Sequence, residues 1–306
     1  FNKVRFIGNF NLSVDAVASQ GGFQNAFIIT INFFIVSILL MFISLLNGVN
    51  EKSKFIFFLF ISLSVFINYA FRYRIFMLIF PIVLVYFFYK KTKPKSIFLV
   101  SATLSAFLLF GFIQFTRDYG SGISFERLQT KISKRGGSAF DNILKASFFD
   151  SNVFNTSSGM IFKTPSEYDY VGIAPVINAI TLPIPRKIWP GKPEGQYITK
   201  LYKLIYPGEK WEVGAASLGF AEYYISGGWL TLISLNFLLG YFYKRLWIWL
   251  LYNFYDPLAQ VSYTLYLSFL FIIYSRGYLL QIIYLYITIF APLILINYLW
   301  NKRSNS

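Results

Sequence analysis

Four prolines in the eleven residues Pro183-Ile-Pro-Arg-Lys-Ile-Trp-Pro-Gly-Lys-Pro193 forbid a regular helix and fix several φ angles near −65°. Arg186, Lys187 and Lys192 therefore stand on a stiff backbone. A rigid cationic loop suits an anion such as a phosphate, because Arg offers a planar fork of donors and Lys a point charge. It also suits a loop that only covers helix ends. Three more arginines, Arg72, Arg74 and Arg276, interrupt apolar runs. Charges at such depth are costly and point to function, the alternative being snorkelling toward lipid phosphate. Glu222 is the one acid within an apolar run, placed either to accept a proton as a general base or to pair with an arginine. The chain has no His and no Cys, so disulfides, thiolate metal sites and imidazole bases are excluded. Chemistry falls to Asp, Glu, Tyr, Arg and Lys.

The elements that must position these groups are membrane spans. Charged residues make up 13% of the 306 residues, about half the usual ~25%, and the apolar runs are long enough for an all-α integral membrane protein, a multi-span helical bundle. Spans are expected at 25–46, at 55–71 and 75–89 on either side of Arg72-Tyr-Arg74, and at 96–116, 214–243, 257–275 and 280–300. Residues 55–89 would make a single helix of ~52 Å, too long for one crossing. The expected organisation is an N-terminal external segment with four spans (1–116), a large extracytoplasmic loop (117–213) and three C-terminal spans (214–306). The loop holds nine of the thirteen acids, and its length marks it as functional. An amphipathic helix is expected within it at 138–149. The chain begins at Phe1 rather than Met, and further N-terminal spans are expected ahead of it.

Orientation follows from charge. Placing Lys90, Lys91, Lys93 and Lys95 in the cytoplasm puts Lys52, Lys54, Lys244, Arg245, Lys302 and Arg303 there too, as the positive-inside rule requires. The net charge of +15 is thereby explained in large part by topology, and no nucleic acid is expected as a partner. At ideal helical spacing Arg72 and Arg74 diverge by about 200°, so on an unbroken helix only one faces a pocket; Arg72 is the choice. Trp189 and Tyr223 could line a sugar site, although one Tyr among 23 is a weak signal. Glu167 and Asp169 are the closest acidic pair of the loop, and no metal is expected. Nucleotide-binding glycine patterns and Gly-x-Ser-x-Gly are absent.

Three segments together resemble the Wzy-type oligosaccharide repeat-unit polymerases of O-antigen and capsule synthesis. They are Pro-x-Pro-Arg-x-x-Trp-Pro-x-Lys-Pro at 183–193, Gly-Phe-Ala-Glu-Tyr-Tyr-x-Ser-Gly-Gly-Trp at 219–229, and the Arg-Gly step at Arg276. The resemblance covers the chain from about Arg72 onward. It implies a GT-C-like bundle in a bacterial inner or plasma membrane, with its site on the outer face. The substrate would be an undecaprenyl-diphosphate-linked glycan, with no cofactor beyond that lipid carrier. Chain-length regulators and flippases would be the protein partners, beside membrane lipid. On this reading Arg72, Arg74, Arg186, Lys192 and Arg276 hold the diphosphate, and Glu222 acts on the acceptor hydroxyl. A ligase using another acceptor would share nearly every feature. A flippase would need polar residues deep in the membrane and often an internal repeat, and the sequence has neither.

Overall fold

A chain crossing hydrocarbon must satisfy its own backbone hydrogen bonds, so long apolar runs broken by short polar turns dictate helices. The computed structural model describes residues 22–68, 72–116, 129–130, 132–133, 136, 138–149, 152–181, 184, 188–191, 197–208, 217–275, 277 and 279–304. Among the described residues the regular structure is helical throughout. The helices are α1 (Gly22–Leu46), α2 (Lys52–Asn68), α3 (Arg72–Lys90), α4 (Ser96–Thr116), α5 (Ala139–Phe149), α6 (Asn152–Lys163), α7 (Ala174–Thr181), α8 (Tyr197–Ile205), α9 (Gly219–Tyr252), α10 (Pro257–Ser275) and α11 (Leu279–Ser304). Four stretches among them are long and apolar enough to cross a membrane: α3, residues 96–113 of α4, α9 and α10. Helices α1 to α5 belong to one compact unit and α6 to α11 to another.

In the first unit α1 packs against α2 and α3. Its buried row Ile31, Ile35, Ile38 and Leu39 and the buried Ile75, Met77 and Leu78 of α3 form the interior. Helix α3 begins at Arg72 and includes Arg72-Tyr-Arg74. Helix α4 carries α5. A Cβ at Gly111 would lie 1.8 Å from Ser147 Oγ and 2.7 Å from the Ile143 carbonyl, so only glycine allows this approach, as at many intramembrane contacts. Helix α5 is the expected amphipathic one. Ser138 caps it: the Asp141 N–H donates to Ser138 Oγ at 3.0 Å, and the Ser138 N–H and hydroxyl donate to Asp141 Oδ2 at 3.3 and 2.7 Å. This is a capping box with Asp in place of Glu.

In the second unit α6 and α8 pack on each other and α6 on α9, around Met160, Tyr197, Leu201, Ala221 and Ile225. Helix α9 packs against α10, α10 against α11, and the short α7 lies on α11. Helix α9 has 34 residues, or about 51 Å, well beyond a ~30 Å hydrocarbon core. It is broken at Gly227 and Gly228, both non-helical, with Gly228 in the left-handed region at φ 72°. A break of this kind frees carbonyls one turn back. The Thr231 hydroxyl serves the Tyr223 carbonyl at 2.7 Å and lies 3.0 Å from that of Gly228, while the Val171 N–H donates to the Ile225 carbonyl at 2.9 Å. The segment after the break is still about 36 Å long, enough to cross.

Candidate functional site

Gly219 and Gly277 allow two stretches of backbone to touch. A Cβ on Gly219 would sit 2.1 Å from the Ile273 carbonyl oxygen, and one on Gly277 would sit 2.5 Å from the Leu218 oxygen. The Gly277 N–H donates to the Ser217 carbonyl at 2.6 Å. The Leu218 N–H in turn donates to Ser157 Oγ of α6 at 2.8 Å. Helices α6 and α9 and Gly277, between α10 and α11, are thus pinned at one point.

Glu222 stands one turn into α9 at this point, 3% exposed. Its Oε1 accepts from the Tyr197 hydroxyl of α8 at 2.5 Å, and its Oε2 accepts from the Leu279 N–H, the first amide of α11, at 2.9 Å. Of the two roles open to it, the arginine pair is not the one found among the described residues, where its partners are a phenol and a backbone amide. The arrangement follows from helix ends: first-turn amides lack intrahelical acceptors, and the partial positive charge at a helix N-terminus favours an anion. Glu222 sits in the first turn of its own helix and at the first amide of another. A carboxylate offers about four acceptor positions, so two donors leave room for a further one.

Beside it Tyr223 is half-buried, its carbonyl engaged by Thr231. Tyr224 is buried and meets Tyr170 and Trp229 edge-on, at 6.3 and 5.5 Å between ring centroids. A Cβ on Gly228 would lie 2.9 Å from the Tyr170 hydroxyl, so the glycine admits this ring. Burial raises the Tyr170 phenol above its ordinary value, with Tyr224 adding to the effect.

The remaining expected residues are dispersed. Arg186, Lys192 and Arg276 lie outside the described residues, as does most of the proline-rich stretch; Trp189 is described and 40% exposed. Arg72 opens α3 half-buried. Arg74, the one not chosen to face a pocket, is 3% exposed. Its Nε donates to Asn32 Oδ1 of α1 at 2.7 Å, an η nitrogen donates to the Tyr73 hydroxyl at 2.6 Å, and the guanidinium lies 4.8 Å from the Tyr73 ring centroid. Glu167 pairs with Lys163 at 2.5 Å. Among the described residues no three His, Cys, Asp or Glu side chains come together as metal ligands.

Sequence reading did not single out Tyr197, Asn32, Ser157 or the Leu279 amide. Asn32 alone carried a signal, as an amide inside an apolar run. No family model, curated protein or solved structure matches the chain.

Proposed function

We propose that the chain is a polyprenyl-diphosphate-dependent glycosyltransferase that polymerises undecaprenyl-diphosphate-linked repeat units into O-antigen or capsular polysaccharide. The observation that carries this reading is the meeting of two of the three segments on which the resemblance rests. The Gly219 segment and the turn after Arg276 are bonded through Gly277 to Ser217 and through Leu279 to Glu222, and a carboxylate is buried where they join. In the reaction the bond from C1 of the donor sugar to the diphosphate oxygen breaks. An acceptor hydroxyl oxygen at the non-reducing end of a second lipid-linked unit bonds to C1, and its proton goes to Glu222. Undecaprenyl diphosphate leaves with the electron pair, its charge stabilised by the cations Arg186, Lys192 and Arg276. The bundle would be GT-C-like, with this site on the outer face of the membrane.

The test is to incubate purified protein in nanodiscs with a lipid-linked repeat unit alone. A ladder of glycans with release of undecaprenyl diphosphate is the expected result. Product only after a second kind of acceptor is added would make the protein a ligase, and movement across the bilayer without transfer would make it a flippase. Arg186→Ala should abolish the ladder and Lys187→Ala should leave most of it. Equal damage from the two would reduce the proline-rich stretch to a basic patch.

A further inference from the structure

Helix α7 is inside out. Its buried residues are Pro175, Asn178, Ala179 and Thr181, two of them polar, and the Asn178 amide nitrogen has no hydrogen-bond partner among the described residues. Its outward residues are Val176, Ile177 and Ile180, at 45, 37 and 70% exposure, and Ile173, just before the helix, is 71% exposed. At 100° per residue the three helical positions fall within an arc of about 100°. A short helix in water turns such a stripe to the core. Helix α8 of the same unit does so: Tyr197 and Leu201 are buried while Lys200 and Lys203 are exposed.

We propose that the outward face of α7 is embedded in the membrane, with lipid acyl chains against Ile173, Val176, Ile177 and Ile180, and that α7 lies in the plane of the bilayer surface. Two observations select lipid as the occupant. Helix α7 packs on α11 in the unit that contains α9 and α10, both long and apolar enough to cross a membrane, so a bilayer surrounds its neighbours. The apolar surface is also linked to a span. Tyr170, just ahead of α7, meets Tyr224, which meets Trp229, and Trp229 opens the outward row of α9, with Leu230, Ile233 and Phe237 each at least 66% exposed. Eight residues make only about 12 Å of helix, too short to cross and of a length to lie at the headgroup boundary, where aromatic rings collect. Part of the stretch expected as an extracytoplasmic loop is then a membrane-surface element. The inference does not rest on the glycosyltransferase reading and is tested without substrate.

The chain has no cysteine, so Ile173→Cys, Ile177→Cys, Ile180→Cys and Lys203→Cys each give one labelling site. Each full-length variant is purified, spin-labelled and placed in phosphatidylcholine and phosphatidylglycerol nanodiscs, and collision with oxygen is compared with collision with a water-soluble nickel chelate. The oxygen-to-nickel ratio at positions 173, 177 and 180 should exceed that at Lys203 severalfold, with depths of about 5–10 Å below the phosphates. Nickel access equal to that at Lys203 would place the face in water and overturn the proposal. Protection from both reagents would mean that protein, another segment of this chain or a second copy, covers the face, and would overturn it too. Three independent positions keep the test readable if one variant fails to fold.

Discussion

Arg74 and Glu222 are both buried ionisable side chains, one in each unit, and the chain holds them by different means. Arg74 sits in the first turn of α3, where the helix end carries partial positive charge and the turn itself holds no acidic residue. Among the described residues it is held by side chains: the Asn32 amide oxygen of another helix and the phenol and ring face of Tyr73. Glu222 also sits in a first turn, but there the helix end favours it, and a second helix start supplies the Leu279 amide. One charge depends on a neighbour's side chain, the other largely on where two backbones begin. A site for chemistry is better built the second way, because a backbone amide stays in place while side chains and substrate exchange around the carboxylate.

The comparison can be broken most directly at the backbone. Gly219→Ala should cost about 3 kcal/mol, at the upper end for overpacking, because the new methyl would meet the Ile273 carbonyl at 2.1 Å. Thermal unfolding in detergent would measure it, with glycan transfer lost although no charge has been touched. Wild-type stability would mean that close backbone approach does not build the Glu222 site. Next in size is Asn32→Leu, which takes an acceptor from a buried guanidinium and should cost about 2 kcal/mol. Tyr197→Phe should cost only about 1 kcal/mol, since the Leu279 amide remains on Glu222. If Tyr197→Phe proves as severe as Asn32→Leu, the contrast between the two ions collapses.

The smallest effect concerns an exposed carboxylate. The Ser138 hydroxyl, and then its backbone N–H, hold the Asp141 carboxyl below its ordinary value. A depressed folded-state value means that the stability contributed is present above the unfolded value and is lost as pH falls through the folded one. Amide exchange at the start of α5, corrected for intrinsic rate, should therefore quicken in acid, and Ser138→Ala, which keeps only the backbone N–H, should weaken that dependence. An unchanged profile in Ser138→Ala would show that the cap does not couple to Asp141.

The spans were legible where composition alone decides. Helices α4 and α10 run over the expected 96–116 and 257–275, because polar or Pro-containing turns bound uniform apolar runs. Helix α9 passes the expected end at 243 and continues to Tyr252. Lys244 and Arg245 mark a membrane boundary but are good helix formers, and the helix stops only before Asn253, Asp256 and Pro257. Glu222 was legible as a lone acid in an apolar run. Its partners were not: Tyr197 is one phenol among 23, and the Leu279 amide has no sequence signature. The break in α9 was present as Gly227-Gly228, yet two glycines in a helix announce a bend only when something fills it. Tyr170 and Thr231 do so from elsewhere in the chain. Helices α6, α7 and α8 went unread within the long loop because they are short, and α7 turns its apolar residues outward rather than to a core.

The bond from Leu279 to Glu222 spans 57 residues, and this bears on the order in which the chain is made. A ribosome delivers α9 and α10 to the membrane before Leu279 exists, so during that interval the Glu222 carboxylate has Tyr197 but lacks its backbone partner. Only when the last helix begins does the buried acid acquire its second donor. A nascent chain stopped short of α11 would hold a half-satisfied carboxylate in an apolar setting, a feature by which membrane quality control could tell an unfinished copy from a finished one.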